Sequence, residues 1–130
     1  MTVIFVGSNP SNASTTEEPF HGSTRSSKIL AEWTKNINVE KRYVNVANQK
    51  TENNRALTSA EIKAELPRLA QNLVGADKIV ALGKTAAKAL TLLRVQFYEL
   101  PHPSGLNRLL NNPRYVEEKI KGLQDYVAIP

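Results

Sequence analysis

Residues 7–11, Gly-Ser-Asn-Pro-Ser, put a rigid amide immediately after a short apolar run of the sequence. Gly7 allows the chain to turn sharply, and Pro10 restricts the backbone after Asn9. The carboxamide of Asn9 would therefore be held in one direction at the end of a strand. The same residue types also form ordinary strand-ending turns, and this segment taken alone favours such a turn.

A histidine lies in the Pro-rich segment 101–108 near the end of the chain. Two prolines stiffen the backbone around His102, whose imidazole could donate a hydrogen bond to a leaving group or cap the following helix. Leu106, in a turn next to glycine, could insert as an apolar wedge between base pairs. Arg108 could bind a phosphate group. Each residue taken alone has an ordinary structural explanation.

Phe20 is unexpected because it lies in the polar segment Pro19-Phe20-His21-Gly22. Its ring could pack into the hydrophobic core, or it could offer a face on which a flat heterocycle stacks. The isolated segment favours core packing.

Strand and helix patterns alternate along the chain and would position these three segments. The patterns predict four strands, at 3–6, 42–46, 78–82 and 96–100. Apolar residues at helical spacing follow each strand, and Thr58-Ser59-Ala60-Glu61 predicts a capping box for the second helix. That helix contains Pro67, which should kink it, and Gly75 should end it.

This order predicts an α/β fold with three α/β/α layers around a central four-stranded parallel sheet. Three polar loops, 7–24, 47–57 and 101–108, follow predicted strand ends. In such sheets ligands bind beyond the carboxyl ends of the strands, so these loops should converge on one edge.

Length and composition limit the kinds of protein that this sequence can encode. We expect one domain over residues 1–130, since 130 residues with 41% hydrophobic content suit a single core. The net charge of +5 suits a polyanionic partner but is weak support alone. The absence of cysteine excludes disulfides, thiolate zinc sites and iron–sulfur clusters. The apolar N-terminal run is too short for a signal peptide or membrane helix, so a cytoplasmic protein is expected.

The motifs together resemble the uracil-DNA glycosylase superfamily. Segments 7–11 and 102–108 resemble its first and second motifs, the former in the Asn-containing form of the mismatch-specific and single-strand-selective branches. The intervening chain is similar to the iron–sulfur branch at Pro19-Phe20-His21-Gly22, Val44-Asn45-Val46, Asn53-Asn54-Arg55, Thr58-Ser59-Ala60-Glu61-Ile62 and Ala81-Leu82-Gly83-Lys84-Thr85-Ala86-Ala87. These motifs occur in order over residues 3–108, which makes a chance match improbable although none is specific alone.

The resemblance implies catalytic roles for two residues and binding roles for the others. Asn9 would orient the water that attacks the sugar C1′, and His102 would stabilise the departing base anion through a hydrogen bond to its O2. The base would be bound by Gly7, Ser8, Phe20 and Asn45, with Phe20 stacking on it and the Asn45 amide reading its polar edge. The DNA would be held by Ser11, Ser104, Gly105, Leu106 and Arg108, with Ser104 on a backbone phosphate and Leu106 filling the gap in the stack.

The resemblance further implies a monofunctional DNA glycosylase of base-excision repair, acting as a monomer on a flipped-out uracil or a related modified or mismatched pyrimidine. No metal or cofactor is expected. Two positions that align with cluster cysteines of the iron–sulfur branch are Gln49 and Glu65 here, so packing should replace the cluster. Ser11 is small where the most efficient branch has a tyrosine that blocks thymine, so a 5-substituted pyrimidine could enter. The alternative is a weakly active or inactive module of the same fold that binds nucleic acid or a nucleotide.

Overall fold

The structure is a computed structural model that describes residues 1–9, 25–48, 56–103 and 108–128. Strands and helices alternate along these ranges, as the sequence pattern predicts. The strands are β1 (Thr2–Gly7), β2 (Glu40–Asn45), β3 (Lys78–Leu82) and β4 (Tyr98–Leu100), and the α-helices are α1 (Arg25–Thr34), α2 (Ser59–Asn72), α3 (Lys84–Leu92) and α4 (Pro113–Ala128). A short 3₁₀ helix, Arg108–Asn111, precedes α4 and was not predicted. No helix in the described ranges is long and apolar enough to cross a membrane.

The four strands form one parallel sheet in the order β2-β1-β3-β4. The two central strands, β1 and β3, pair through Val3 with Lys78 and through Val6 with Ala81. The edge strand β2 pairs with β1 in a register that places Asn45 opposite Gly7. Because all strands run the same way, their carboxyl ends meet at one edge of the sheet, which confirms the predicted α/β/α architecture.

The hydrophobic core is divided between the two faces of the sheet. Along β1, Ile4 and Val6 point to a cluster with α2 and α3, whereas Val3 and Phe5 point to a cluster with α1 and α4. All four side chains are fully buried. This alternation is the period-two pattern of a strand that is covered on both faces, so β1 reads as a continuous apolar run.

The helices have the predicted apolar faces. The buried members of these faces are Leu30, Trp33 and Ile37 for the α1 region, Ile62, Leu69 and Leu73 for the α2 region, Ala86, Ala87 and Leu90 for α3, and Leu123 and Val127 for α4. The capping box of α2 is present: the Thr58 side chain accepts from the Glu61 N–H, and the Glu61 carboxylate accepts from the Thr58 N–H at 2.9 Å. Helix α2 continues through Pro67 and ends at Asn72, three residues before Gly75.

Candidate functional site

Two amide side chains lie at the carboxyl edge of the sheet, Asn45 at the end of β2 and Asn9 after β1. Backbone pairing continues past the ends of the strands, because the Val46 N–H donates to the Gly7 carbonyl at 2.9 Å and the Ala47 N–H donates to the Ser8 carbonyl at 3.0 Å. The chain leaving β1 is thus tied to the chain leaving β2. This pairing places Gly7, Ser8 and Asn45 at one location, with Asn9 as the next residue of the same segment.

The side chain of Asn9 is oriented by its neighbour. The Ser8 hydroxyl donates to Asn9 Oδ1 at 2.9 Å, and both residues are half-buried. The accepted hydrogen bond fixes the direction of the carboxamide plane. Asn9 also remains accessible, which a residue that contacts a ligand requires.

Asn45 differs from Asn9 in its burial. Its exposed fraction is 5%, in a set of buried residues that is almost entirely apolar. A buried amide needs hydrogen-bond partners or contact with a polar ligand, since an apolar side chain would occupy the same place at less cost. The position of Asn45 at the last residue of β2 therefore makes it a candidate for binding a polar group at the sheet edge.

His102, which follows the edge strand β4, packs against Gly83 at the end of the central strand β3. Gly83 follows β3, and its N–H donates to the carbonyl of Leu100, the last residue of β4, at 2.8 Å. A Cβ placed on Gly83 would lie 3.0 Å from the Cβ of His102, so the histidine packs directly on the glycine backbone. Gly83 has φ +93°, a conformation that glycine tolerates and other residues rarely adopt. The histidine is consequently seated over the end of β3, the strand next to β1.

The environment of His102 favours its neutral form. Burial lowers the pKa of the imidazole below its usual value near 6.5. Gly83 is also the N-cap of α3, and the positive end of a helix dipole disfavours a second positive charge. A neutral imidazole keeps one N–H donor, and this N–H can donate a hydrogen bond to an anion.

These positions bring three predicted site residues and Gly83 to the same edge. In spatial order the edge carries Asn45 at the end of β2, Asn9 after β1, Gly83 after β3 and His102 after β4. Adjacent strands lie about 4.8 Å apart, so this row is comparable in width to a flat heterocycle with its sugar. Other predicted site residues, Ser11, Phe20, Ser104, Gly105 and Leu106, lie outside the described residues, as does the side chain of Arg108.

Two residues at this edge were not predicted from the sequence. Arg68, on α2, donates from Nη2 to the carbonyl of Val46 at 2.6 Å and to that of Asn45 at 3.3 Å. Gly83 was recognised as the end of a strand, but its contact with His102 was not. Neither contact has a local sequence signal, because each joins residues about twenty positions apart.

Two further features concern ligands. Among the described residues there is no group of three or more His, Cys, Asp or Glu side chains that could hold a metal ion. A groove of about 500 Å³ is lined by Asn36, Ile37, Asn38, Val39, Gln124, Val127 and Ala128. It lies beside the amino end of β2 and is therefore at the edge opposite to Asn9 and His102.

The protein is thus a parallel α/β protein in which polar side chains lie beyond the carboxyl ends of the strands. Comparison with known families finds that the uracil DNA glycosylase superfamily matches residues 1–124. The chain therefore belongs to the uracil-DNA glycosylase superfamily. No individual curated protein matches it. Membership supports a DNA glycosylase-like function and DNA as the substrate polymer, at the level of the family.

Proposed function

We propose that this protein is a monofunctional DNA glycosylase that hydrolyses the N-glycosidic bond of uracil, or of a related modified or mismatched pyrimidine. The observation that carries the proposal is the convergence of Asn9, Asn45 and His102 on one edge of the sheet. A binding module has no need for a fixed amide and a neutral imidazole at the same edge. The products would be the free base and an abasic site in an uncut strand.

In the proposed reaction Asn9 positions water and His102 stabilises the leaving base. The glycosidic bond can break with much oxocarbenium character, so the main requirement is to stabilise the negative charge that develops on the base. His102 meets it by donating an N–H to the base O2. Asn9 cannot accept a proton as a general base, but its oriented carboxamide can hold the attacking water near C1′.

Recognition of the base is assigned to Asn45 and Phe20. The Asn45 carboxamide offers a donor and an acceptor, which match the O4 and N3–H of uracil. Phe20 would stack on the base plane. The small Ser11 leaves room for a 5-substituent, so the proposal includes modified pyrimidines.

Binding of DNA is assigned to the loops that follow the strands and to the net charge of +5. Ser11, Ser104, Gly105 and Arg108 would hold the backbone, while Leu106 would fill the space vacated by the flipped base. Flipping costs a few kcal/mol, and the wedge together with base stacking would offset it. One chain carries the complete set of proposed residues, so we propose that a monomer is active.

The function is tested with oligonucleotides that carry one uracil opposite A, opposite G, or in a single strand. We expect alkali-labile abasic product with at least one of the three substrates, and no strand cleavage before alkali treatment. The same oligonucleotides with 5-substituted and mismatched pyrimidines extend the range of bases. Binding without product on all of these substrates would reject the enzyme and favour the nucleic-acid-binding module.

The contact between Gly83 and His102 gives a first mutational prediction. In Gly83→Ala the new Cβ must displace His102 by a few tenths of an ångström, because the two Cβ atoms would be 3.0 Å apart. Misplacement by 1 Å of a catalytic group can cost about 100-fold, so we expect excision to fall about tenfold in single-turnover assays.

Gly75→Ala is the matched control for this prediction. Gly75 has φ +89°, similar to the +93° of Gly83, but an added Cβ there has nothing within 4 Å. Both variants should lose about 1–3 kcal/mol of stability through backbone strain. Only Gly83→Ala should lose excision at a temperature where both are folded; equal rates would contradict the role of this contact.

A further inference from the structure

Arg68, a side chain of α2, binds the carboxyl end of β2 from outside the sheet. Arg68 donates through Nη2 to the carbonyls of Val46 and Asn45, at 2.6 and 3.3 Å. Its Nε donates to the Glu65 carboxylate at 2.9 Å, one turn earlier on the same helix. About a third of each of these two side chains is exposed, so the arrangement is half-buried.

The position of β2 in the sheet explains why such a contact is needed. β2 is an edge strand, with β1 as its sheet neighbour. Edge strands are held on one side only and separate from a sheet more readily than central strands. The Arg68 guanidinium is planar, and its ion pair with Glu65 fixes the direction in which its other nitrogens point. It therefore joins the end of β2 to α2, a helix that is anchored in the core by Ile62 and Leu69.

We infer that Arg68 is a positioning residue for Asn45, and that through Asn45 it determines which base the site accepts. The inference rests on the proposed function for its second half. Asn45 is the last residue of β2 and is followed directly by Val46, so Arg68 binds the backbone at and immediately after the amide that would read the base. Arg68 itself need not touch the substrate.

Amide hydrogen exchange in Arg68→Met tests whether Arg68 keeps the end of β2 paired with β1. The Val46 and Ala47 amides donate to the Gly7 and Ser8 carbonyls, and their exchange reports on whether the end of β2 stays paired with β1. We expect exchange at these two amides to be about tenfold faster than in the wild-type protein, with the β3 amides unchanged.

Three further variants separate the contact from charge and from general stability. Lys63→Met removes the same charge from an exposed position of α2 and should leave both amides unchanged. Glu65→Gln keeps an acceptor for Arg68 Nε and should also leave them nearly unchanged. Arg68→Lys keeps a positively charged donor group without the planar fork of the guanidinium and should give intermediate exchange. It also keeps the test valid if the methionine variant is too unstable to study. Equal exchange in Arg68→Met, Arg68→Lys and Lys63→Met would overturn the inference.

The ratio of uracil to cytosine excision tests whether Arg68 affects base specificity through Asn45. The donor and acceptor that face the amide are reversed in cytosine relative to uracil, so a loosely held Asn45 should discriminate less. We expect the ratio to fall about tenfold in Arg68→Met, a change that loss of folded protein alone would not produce. An unchanged ratio together with faster exchange would reject the specificity role. If the wild-type protein excises no base, the proposed function and the specificity role fall together, while hydrogen exchange still decides whether Arg68 holds β2.

Discussion

Replacement of His102 by alanine should reduce base excision by about 100- to 1000-fold, the usual consequence of removing a hydrogen-bond donor that stabilises a developing anion. The loss should appear in the single-turnover rate rather than in the affinity for DNA, because the negative charge develops as the bond breaks. His102 is half-buried and follows β4, so the variant should remain folded. Single-turnover kinetics and thermal unfolding of the same preparation measure both quantities.

Two conservative replacements serve as controls for His102→Ala. Asn and Gln each return an amide NH₂ donor group, near the positions of Nδ1 and Nε2 respectively. We expect one of them to retain more activity than alanine, which would identify the donating nitrogen. A wild-type rate in His102→Ala would remove the imidazole from the mechanism.

The pH dependence follows from the lowered pKa of His102. The folded-state pKa lies below the unfolded value near 6.5, so the unfolded protein binds more protons between these two values. The stability contributed by the neutral imidazole is therefore present above about pH 6.5 and is lost as pH falls through that window. Wild-type excision should stay constant between roughly pH 8 and 6.5. A decrease caused by protonation of His102 should begin below about pH 6.5.

Replacement of Asn9 by alanine should also reduce excision by about 100-fold or more, because the attacking water loses the group that orients it. Asn9→Asp is the informative counterpart. The carboxylate has nearly the same shape, and the Ser8 hydroxyl that now donates to Asn9 Oδ1 can donate to it equally well. A carboxylate can accept the proton of the water, so we expect the aspartate variant to be about tenfold faster than wild type.

Single-turnover rates on one uracil substrate measure this series. A single-turnover rate that is highest with aspartate, intermediate with the wild-type asparagine and lowest with alanine supports water activation at position 9. An alanine variant as fast as the wild-type protein would contradict it.

Much of the fold could be predicted because the relevant signals are local. β1 is a buried apolar run that ends at Gly7, and the capping box from Thr58 to Glu61 marks the start of α2. β4 was predicted from 96 but begins at Tyr98. The helix α2 runs through Pro67 because the Leu69 side chain beyond it is fully buried and holds the last turn against the sheet.

The candidate site could be predicted only in part. Strand alternation and polar loops at strand ends point to Asn9, Asn45 and His102, since parallel strands must end at one edge. The supporting contacts of Arg68 and Gly83 depend on how α2 lies against β2 and how β4 ends beside β3, which no local pattern encodes. Packing was expected to replace the absent iron–sulfur cluster. That expectation stays a prediction. The structure shows an ion pair between Glu65 and Arg68 on α2, and Glu65 is one of the two positions at which the resemblance implies a cluster cysteine of the iron–sulfur branch.

Base excision is tested most directly by identifying the products released from a uniquely labelled deoxyuridine in DNA. The wild-type protein should release free uracil and leave an equal amount of abasic site in an intact strand, and the Asn9→Ala and His102→Ala variants should bind the same DNA while releasing far less. Release of no base by the wild-type protein, from uracil and from related pyrimidines alike, would contradict the assignment of the residues at this sheet edge to base excision.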